Sequence, residues 1–256
     1  VTFAEGSKPL TLGTLANTNT SNGVFYNTKI VELTLGDRVT MIGAYAFYNQ
    51  TNLTTVTMSS NSQVTDIGKY AFGGSSTTKL ANLTLGPNLE TIHPYALARI
   101  AATTINIPKS VEMVDEYAFQ YATAKEVIFE GGGTAALTIK RYAFANMSKL
   151  ETVTLPARLE TLYETATLSF CDGTFKNLNG RFNNDKLLKD INVEPGGQNF
   201  CSFDGVLYEM DKEGNPTILL FCPLGKTGEF VIPKEVLLVE NGAFVNSQLT
   251  KISFEE

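Results

Sequence analysis

The tripeptide Tyr-Ala-Phe recurs at Tyr45–Phe47, Tyr70–Phe72, Tyr117–Phe119 and Tyr142–Phe144, with Tyr95-Ala96-Leu97 and Gly242-Ala243-Phe244 as variants. Self-similarity at a spacing of about 20–50 residues restricts the fold to stacked units, because one such unit is too small to bury its apolar face alone. Upstream of the tripeptide lies a second element, L-x-x-L-x-L. It reads Leu53, Val56, Met58; Leu80, Leu83, Leu85; Leu150, Val153, Leu155; Leu188, Ile191, Val193; and Leu249, Ile252, Phe254. Leu33 and Leu35, Ile105 and Ile107, and Val127 and Phe129 fit the same frame. Alternation with period two sends successive side chains to opposite faces, so each unit is expected to begin with a short strand.

Between strand and tripeptide runs a bridge that opens on a turn, often at Gly36, Gly86-Pro87, Pro108, Pro156 or Pro233. Proline cannot donate to a ladder and so ends the strand. Two apolar residues three apart follow: Val39 and Ile42, Val64 and Ile67, Leu89 and Ile92, Val111 and Val114, Leu159 and Leu162, Val236 and Val239. These pairs are expected to turn back across a shared core together with the Ala and Phe of the tripeptide. A unit with one strand can bury its apolar side only against its neighbours, which makes stability nearest-neighbour in character.

The pattern resembles the leucine-rich-repeat solenoids, and more narrowly their BspA-like branch, with a consensus near L-x-x-V-x-I-P-x-x-V-x-x-I-G-x-x-A-F-x-x-C. Residues 154–162 (Thr-Leu-Pro-Ala-Arg-Leu-Glu-Thr-Leu) and 105–114 carry it, with Ile42-Gly43 and Ile67-Gly68 supplying the Ile-Gly step. The resemblance implies a fold that is α/β by superfamily and β-rich in content. It would be a right-handed solenoid with one parallel sheet on the concave face and short helical turns or short strands on the convex side. It also implies a bacterial cell-surface or secreted protein whose leader has been removed, and relatives of this kind are associated with surface adhesion, including binding of matrix glycoproteins.

The repeat favours a single solenoid over residues 1–256 of about ten strands. Two stretches depart from it. An irregular unit at 164–187 loses the Ala-Phe element and gains Cys171, Gly173, Phe175 and Phe182. At 194–229, residues 202–208, a polar turn at 211–216 and residues 217–221 read as an inserted β-hairpin. Both ends lack the atypical capping units that solenoids usually carry, which suggests an interior stretch of a longer chain.

A net charge of -6 with no basic stripe argues against nucleic acid as a partner. No run of eighteen or more apolar residues offers a membrane span. Cys171, Cys201 and Cys222 have neither a disulfide-framework nor a zinc spacing and read as buried thiols, although Cys201 and Cys222 flank the expected hairpin. The single histidine, His93, falls where other units carry Gly43 and Gly68 and reads as a surface substitution. A catalytic triad needs a base beside a nucleophile, and no serine has a nucleophile-elbow context. Gly131-Gly132-Gly133 lacks the Lys-Ser or Lys-Thr of a phosphate loop and reads as a lengthened turn, while the oxygens of residues 211–215 are ordinary turn chemistry. No catalytic residue, metal ligand or cofactor is assigned.

What remains for function is surface. Between the inward positions of successive strands lie Thr34, Thr57, Thr84, Asn106, Ile128, Thr154, Asn192 and Ser253. Two residues earlier lie Glu32, Thr55, Asn82, Thr104, Glu126, Thr152, Asp190 and Lys251. The candidate binding face is therefore Thr34, Thr55, Thr57, Asn82, Thr84, Thr104, Asn106, Thr152, Thr154 and Asn192. Taken singly, each threonine is explained by β-branching and solubility on a strand. Taken together, they make an extended polar face suited to an extracellular protein or glycan. Tyr45, Tyr70, Tyr95, Tyr117 and Tyr142 should form an aromatic column along one edge, a place either to stack sugar rings or to pack coil on coil with wet hydroxyls. The two functional readings are a non-enzymatic binding or adhesion scaffold and, as the alternative, a structural spacer with no ligand of its own.

Overall fold

The structure, a computed structural model, describes residues 1–3, 6, 8–140, 142–162 and 187–256. Leu33, Leu35, Val56, Met58, Ile105, Ile107, Val127, Phe129, Val153 and Leu155 are each at most 2 % exposed. That burial is what the alternation demands, since the apolar side of a strand has only the solenoid interior in which to hide. The exception is the strand Gln248–Phe254, where Ile252 and Phe254, read from the alternation as inward, are 43 % and 72 % exposed. The strands pair in parallel. Glu32–Leu35, Thr55–Met58 and Asn82–Thr84 form one front sheet. Thr104–Ile107, Glu126–Phe129, Thr152–Leu155 and Asp190–Val193 form a second. Thr227–Ile232 and Gln248–Phe254 form a third. A front ladder shared by every coil is thus realised in three hydrogen-bonded segments. The first break falls where a unit of 27 residues, Val56 to Leu83, is followed by one of 22, Leu83 to Ile105. Leu83 is only half-buried there, although it still packs on the core.

The bridges hold more order than their sequence pattern announces. Leu10–Leu12, Val39–Ile42, Asp66–Ile67, Thr91–Ile92, Met113–Val114, Leu137–Ile139 and Leu159–Thr161 make a continuous parallel sheet of seven short strands. Val39, Ile42, Val64, Ile67, Leu89, Ile92, Val111 and Val114 are all fully buried behind it. Coils approach closely at this sheet's end. A side-chain carbon on Gly68 would lie 2.5 Å from the Ala44 nitrogen and 2.6 Å from the Gly43 carbonyl carbon, which leaves room for hydrogen only.

After the second strand comes the Tyr-Ala-Phe segment, which contains no helix. Among the described residues the only helix is the 3-10 turn Thr20–Asn22. The tripeptide instead alternates two kinds of hydrogen bond. Tyr45, Phe47 and Asn49 donate to carbonyls of Lys69, Ala71 and Gly73 on the next coil, while Ala46 and Tyr48 donate three residues back to Gly43 and Tyr45. Tyr95, Leu97 and Arg99 repeat the scheme against Glu116, Ala118 and Gln120. Helical turns, expected as one option for this side, would satisfy these groups within a coil; here half of them bind coil to coil.

The 194–229 stretch is a three-strand antiparallel meander, Phe200–Phe203, Val206–Met210 and Pro216–Phe221, rather than a two-strand hairpin. Asp204 and Gly205, with φ of 48° and 69°, join its first two strands. Positive φ at both central residues is the tight-hairpin geometry that an Asp-Gly pair favours. The meander has two apolar sides. Leu207, Leu220 and Phe221 join the main core, whereas Val206, Tyr208 and Leu219 join a smaller cluster with Phe230, Ile232 and Ala243. The irregular unit read at 164–187, with Cys171, Gly173, Phe175 and Phe182, lies outside the described residues apart from Leu187.

Candidate functional site

The strand register places the ten residues of the candidate face in two rows. Thr34, Thr57 and Thr84 stand opposite one another, as do Asn106, Ile128, Thr154 and Asn192 on the second front sheet. The adjacent row is Glu32, Thr55 and Asn82, continued by Thr104, Glu126, Thr152 and Asp190. Thr34, Thr57, Asn82, Thr84, Thr104, Asn106 and Asn192 are exposed, and Thr55, Thr152 and Thr154 half-buried. Asn82 donates to the Thr55 hydroxyl across the ladder at 3.4 Å. The face therefore offers hydroxyls and amides one strand spacing apart, about 4.8 Å, with three carboxylates in one row.

The tyrosine column is a continuous stack. Ring centroids lie 5.4 Å apart for Tyr45 and Tyr70, 4.5 Å for Tyr70 and Tyr95, 4.8 Å for Tyr95 and Tyr117, and 4.9 Å for Tyr117 and Tyr142, with interplanar angles of 22° or less. Tyr70, Tyr95 and Tyr117 thus have both faces covered by neighbouring rings, so the column cannot stack a sugar between them. It presents ring edges and hydroxyls. Burial, and then the neighbouring Tyr95, Tyr45 and Tyr48, push the Tyr70 phenol up to about 12, so it stays a neutral hydroxyl donor.

Beside the column lies a groove of about 400 Å³. Its lining includes Tyr45, Tyr48, Tyr70 and Tyr95 from the stack and its flank, with Arg99 and Gln120. Tyr48 meets Tyr45 and Tyr70 edge-on, at 5.6 and 5.9 Å. The Arg99 guanidinium sits 4.3 Å from the centre of the Tyr121 ring, and the Lys69 ammonium 5.9 Å from that of Tyr70. Tyr48, Arg99, Gln120 and Tyr121 escaped the sequence reading because they occupy variable positions just past the tripeptide. The one signal that could have found them is their constant offset of three or four residues from the repeated tyrosine.

Other candidates resolve into structure. His93 Nε2 pairs with Asp66 Oδ1 of the preceding coil at 2.9 Å, a coil-to-coil link rather than a loose substitution. Gly132 and Gly133 border a depression of about 320 Å³ in whose lining Glu90 and Glu112 outnumber Lys109, a poor place for phosphate. A side-chain carbon on Gly133 would lie 2.3 Å from the Lys109 carbonyl oxygen, so the glycine answers to space. Asp211 Oδ1 accepts from the backbone of Glu213 at 3.0 Å and Asn215 at 2.8 Å, closing the polar turn on itself. These bonds, those of Asn215 foremost, hold its carboxyl below the usual range. Cys201 and Cys222 are free thiols, and burial pushes that of Cys222 up to about 12. Among the described residues no three His, Cys, Asp or Glu side chains gather to hold a metal, and no helix is long and apolar enough to cross a membrane.

Comparison with known proteins gives these features a family. The family described as "BspA type Leucine rich repeat region" matches in six copies, over residues 18–134, 61–172 and 134–194. No curated protein matches the chain. A leucine-rich repeat protein from Eubacterium ventriosum is similar over 97 % of this chain and 56 % of its own, at 22 % identity and a TM-score of 0.59. A leucine rich cell surface protein from Faecalibacterium prausnitzii is similar over 99 % and 65 %, also at 22 % and 0.59. The pneumococcal vaccine antigen PcpA is similar over 88 % and 45 %, at 24 % and 0.56. At these identities the likeness is one of fold, and the chain spans less than two thirds of the length of each. With the repeat matched across well over half of its residues, the chain belongs to the BspA-type leucine-rich-repeat family.

Proposed function

We propose that the protein is a non-enzymatic binding scaffold of a bacterial surface, secreted or held at the cell wall, whose front sheets engage an extracellular protein or glycan. The observation that carries this reading is the pair of rows in register within each of the first two front sheets, Thr34 to Thr84 and Asn106 to Asn192, with polar side chains on the outer side of each strand and Ile128 the one apolar member of its row. Regular arrays of this kind suit extended partners, because each coil adds one more set of donors and acceptors at near-constant spacing. Membership of the family and the likeness in fold to a cell surface protein and a vaccine antigen support the placement.

The test is binding to a panel of purified matrix glycoproteins and glycans by the wild type and by Thr57→Glu, Thr84→Glu and Thr154→Glu variants. A charge introduced into a buried contact typically costs several kcal/mol, so about a hundredfold loss of affinity is expected for the triple variant. Equal binding by wild type and variants would remove the front face from consideration. A wild type that binds nothing on the panel favours the spacer.

A further inference from the structure

We propose a second binding site, on a different face from the front sheets: the tyrosine groove takes an acidic polysaccharide, held by Arg99 and the phenol hydroxyls. The chain carries a net charge of -6, yet among the described residues the groove is lined by no carboxylate and has Arg99 on its wall. Its volume of about 400 Å³ falls among those of small-ligand sites, roughly 300–1,000 Å³. Arg99 is held in place from both sides of its backbone, its N–H donating to the Gln120 carbonyl at 2.8 Å and its own carbonyl accepting from Thr78 at 2.9 Å. The ring of Tyr121 under the guanidinium fixes the side chain as well. A pre-positioned guanidinium loses little freedom on meeting an anion, and charge-assisted hydrogen bonds are about twice as strong as neutral ones.

The stack itself decides how a sugar is read. With the ring faces covered by one another, recognition passes through hydroxyls on ring edges that recur once per coil, at centroid spacings of 4.5 to 5.4 Å. That interval is close to the length of one pyranose in an extended polymer, so a chain lying along the column meets a hydroxyl at each residue. Lys69, its ammonium 5.9 Å from the centre of the Tyr70 ring, supplies a second cation beside the column. The shared chemistry of the ligand is an anionic oxygen on a polyhydroxylated ring, supplied as carboxylate or as sulfate.

The experiment is calorimetric titration of residues 1–256 with oligosaccharides of equal length, a uronic-acid oligomer, a sulfated oligomer and a neutral glucan, and with a polyglutamate peptide as an anion that lacks the sugar ring. At least one acidic probe should bind, at least tenfold more tightly than the neutral one, and should weaken as salt is raised. Its identity assigns carboxylate or sulfate as the anion. Arg99→Gln should cost about tenfold, and the double variant Tyr70→Phe, Tyr95→Phe, which keeps the stack and removes two hydroxyls, about as much. Thr57→Glu on the front sheet should leave this binding unchanged, so the fate of the front face is read separately. Binding of neither acidic probe, equal binding of the neutral glucan, equal binding of a polyglutamate peptide, or unchanged affinity in Arg99→Gln and in the tyrosine double variant would each overturn the proposal.

Discussion

Tyr45, Tyr70, Tyr95, Tyr117 and Tyr142 hold φ between 54° and 60°, and Gly242, at the same place in a later unit, holds 73°. Left-handed backbone costs a residue with a side chain about 1–2 kcal/mol, which is why glycine is the natural occupant. Tyrosine is kept because ring stacking returns roughly 0.5–1.5 kcal/mol per pair, and an interior ring such as Tyr95 has two partners. The strain is thus offset only while the column is intact. A different balance holds at Glu209, whose carboxyl is raised above its usual 4.5 by burial and then by Glu240. Its folded value lies above its unfolded one, so the folded state holds the proton longer. Stability from this group is full below the unfolded value and is lost as pH rises through the folded one. Glu209→Gln should therefore raise the denaturation midpoint at pH 7, with the gain fading as pH falls toward 4.5, read from urea unfolding at a series of pH values.

At the scale of one element, the aromatic interior is built like the tyrosine column but dry. Phe25 and Phe47 stack at 4.6 Å, Phe47 and Phe72 at 5.1 Å, and Phe119 and Phe144 at 5.2 Å, with Leu97 filling the missing rung between Phe72 and Phe119. Phe72 is 2 % exposed and touches a coil on each side, so its truncation leaves a cavity that neither neighbour can close without breaking its own hydrogen bonds. Phe72→Ala should cost about 3–5 kcal/mol, measured by denaturant unfolding. The repeat of Ala and Phe made this column legible in the sequence. Short strands outside the front sheet were legible only as one option beside helical turns, and a continuous sheet of seven was not, because the bridge's apolar residues fall three apart, as in Leu89 and Ile92, and two-residue strands such as Thr91–Ile92 exist only through the bonds that neighbouring coils supply. Leu137–Ile139 does carry a short alternation, but it follows the glycine turn rather than the usual bridge, so the repeat pattern does not mark it.

Across the whole molecule, contacts run from each coil to the next. A coil in the middle loses two interfaces on opening, whereas one at either end loses one. Measured on residues 1–256 as a separate polypeptide, hydrogen exchange should accordingly be slowest in Thr104–Ile107, Glu126–Phe129 and Thr152–Leu155 and fastest in Leu10–Leu12 and Gln248–Phe254, with intermediate rates between. Uniform protection throughout would show instead that the coils open as one unit. The meander is the place where that gradient should step, since its two sides belong to different apolar clusters.

The amino-acid order by itself determined which side of each strand is apolar and which polar, because period-two alternation leaves no freedom in that assignment. How deeply a position is buried was set by the packing of coils, which leaves Leu83 half-buried and Ile252 and Phe254 exposed. Leu33, Val56, Ile105 and Val153 lie inside, and the Thr and Asn rows lie outside, in register within each front sheet, as the alternation requires. Only the tertiary structure decided the bridge sheet, the left-handed tyrosines and the groove beside Arg99. Each of these depends on hydrogen bonds or ring contacts between residues more than twenty positions apart, and the free energy that fixes them is absent until one coil has settled on the next.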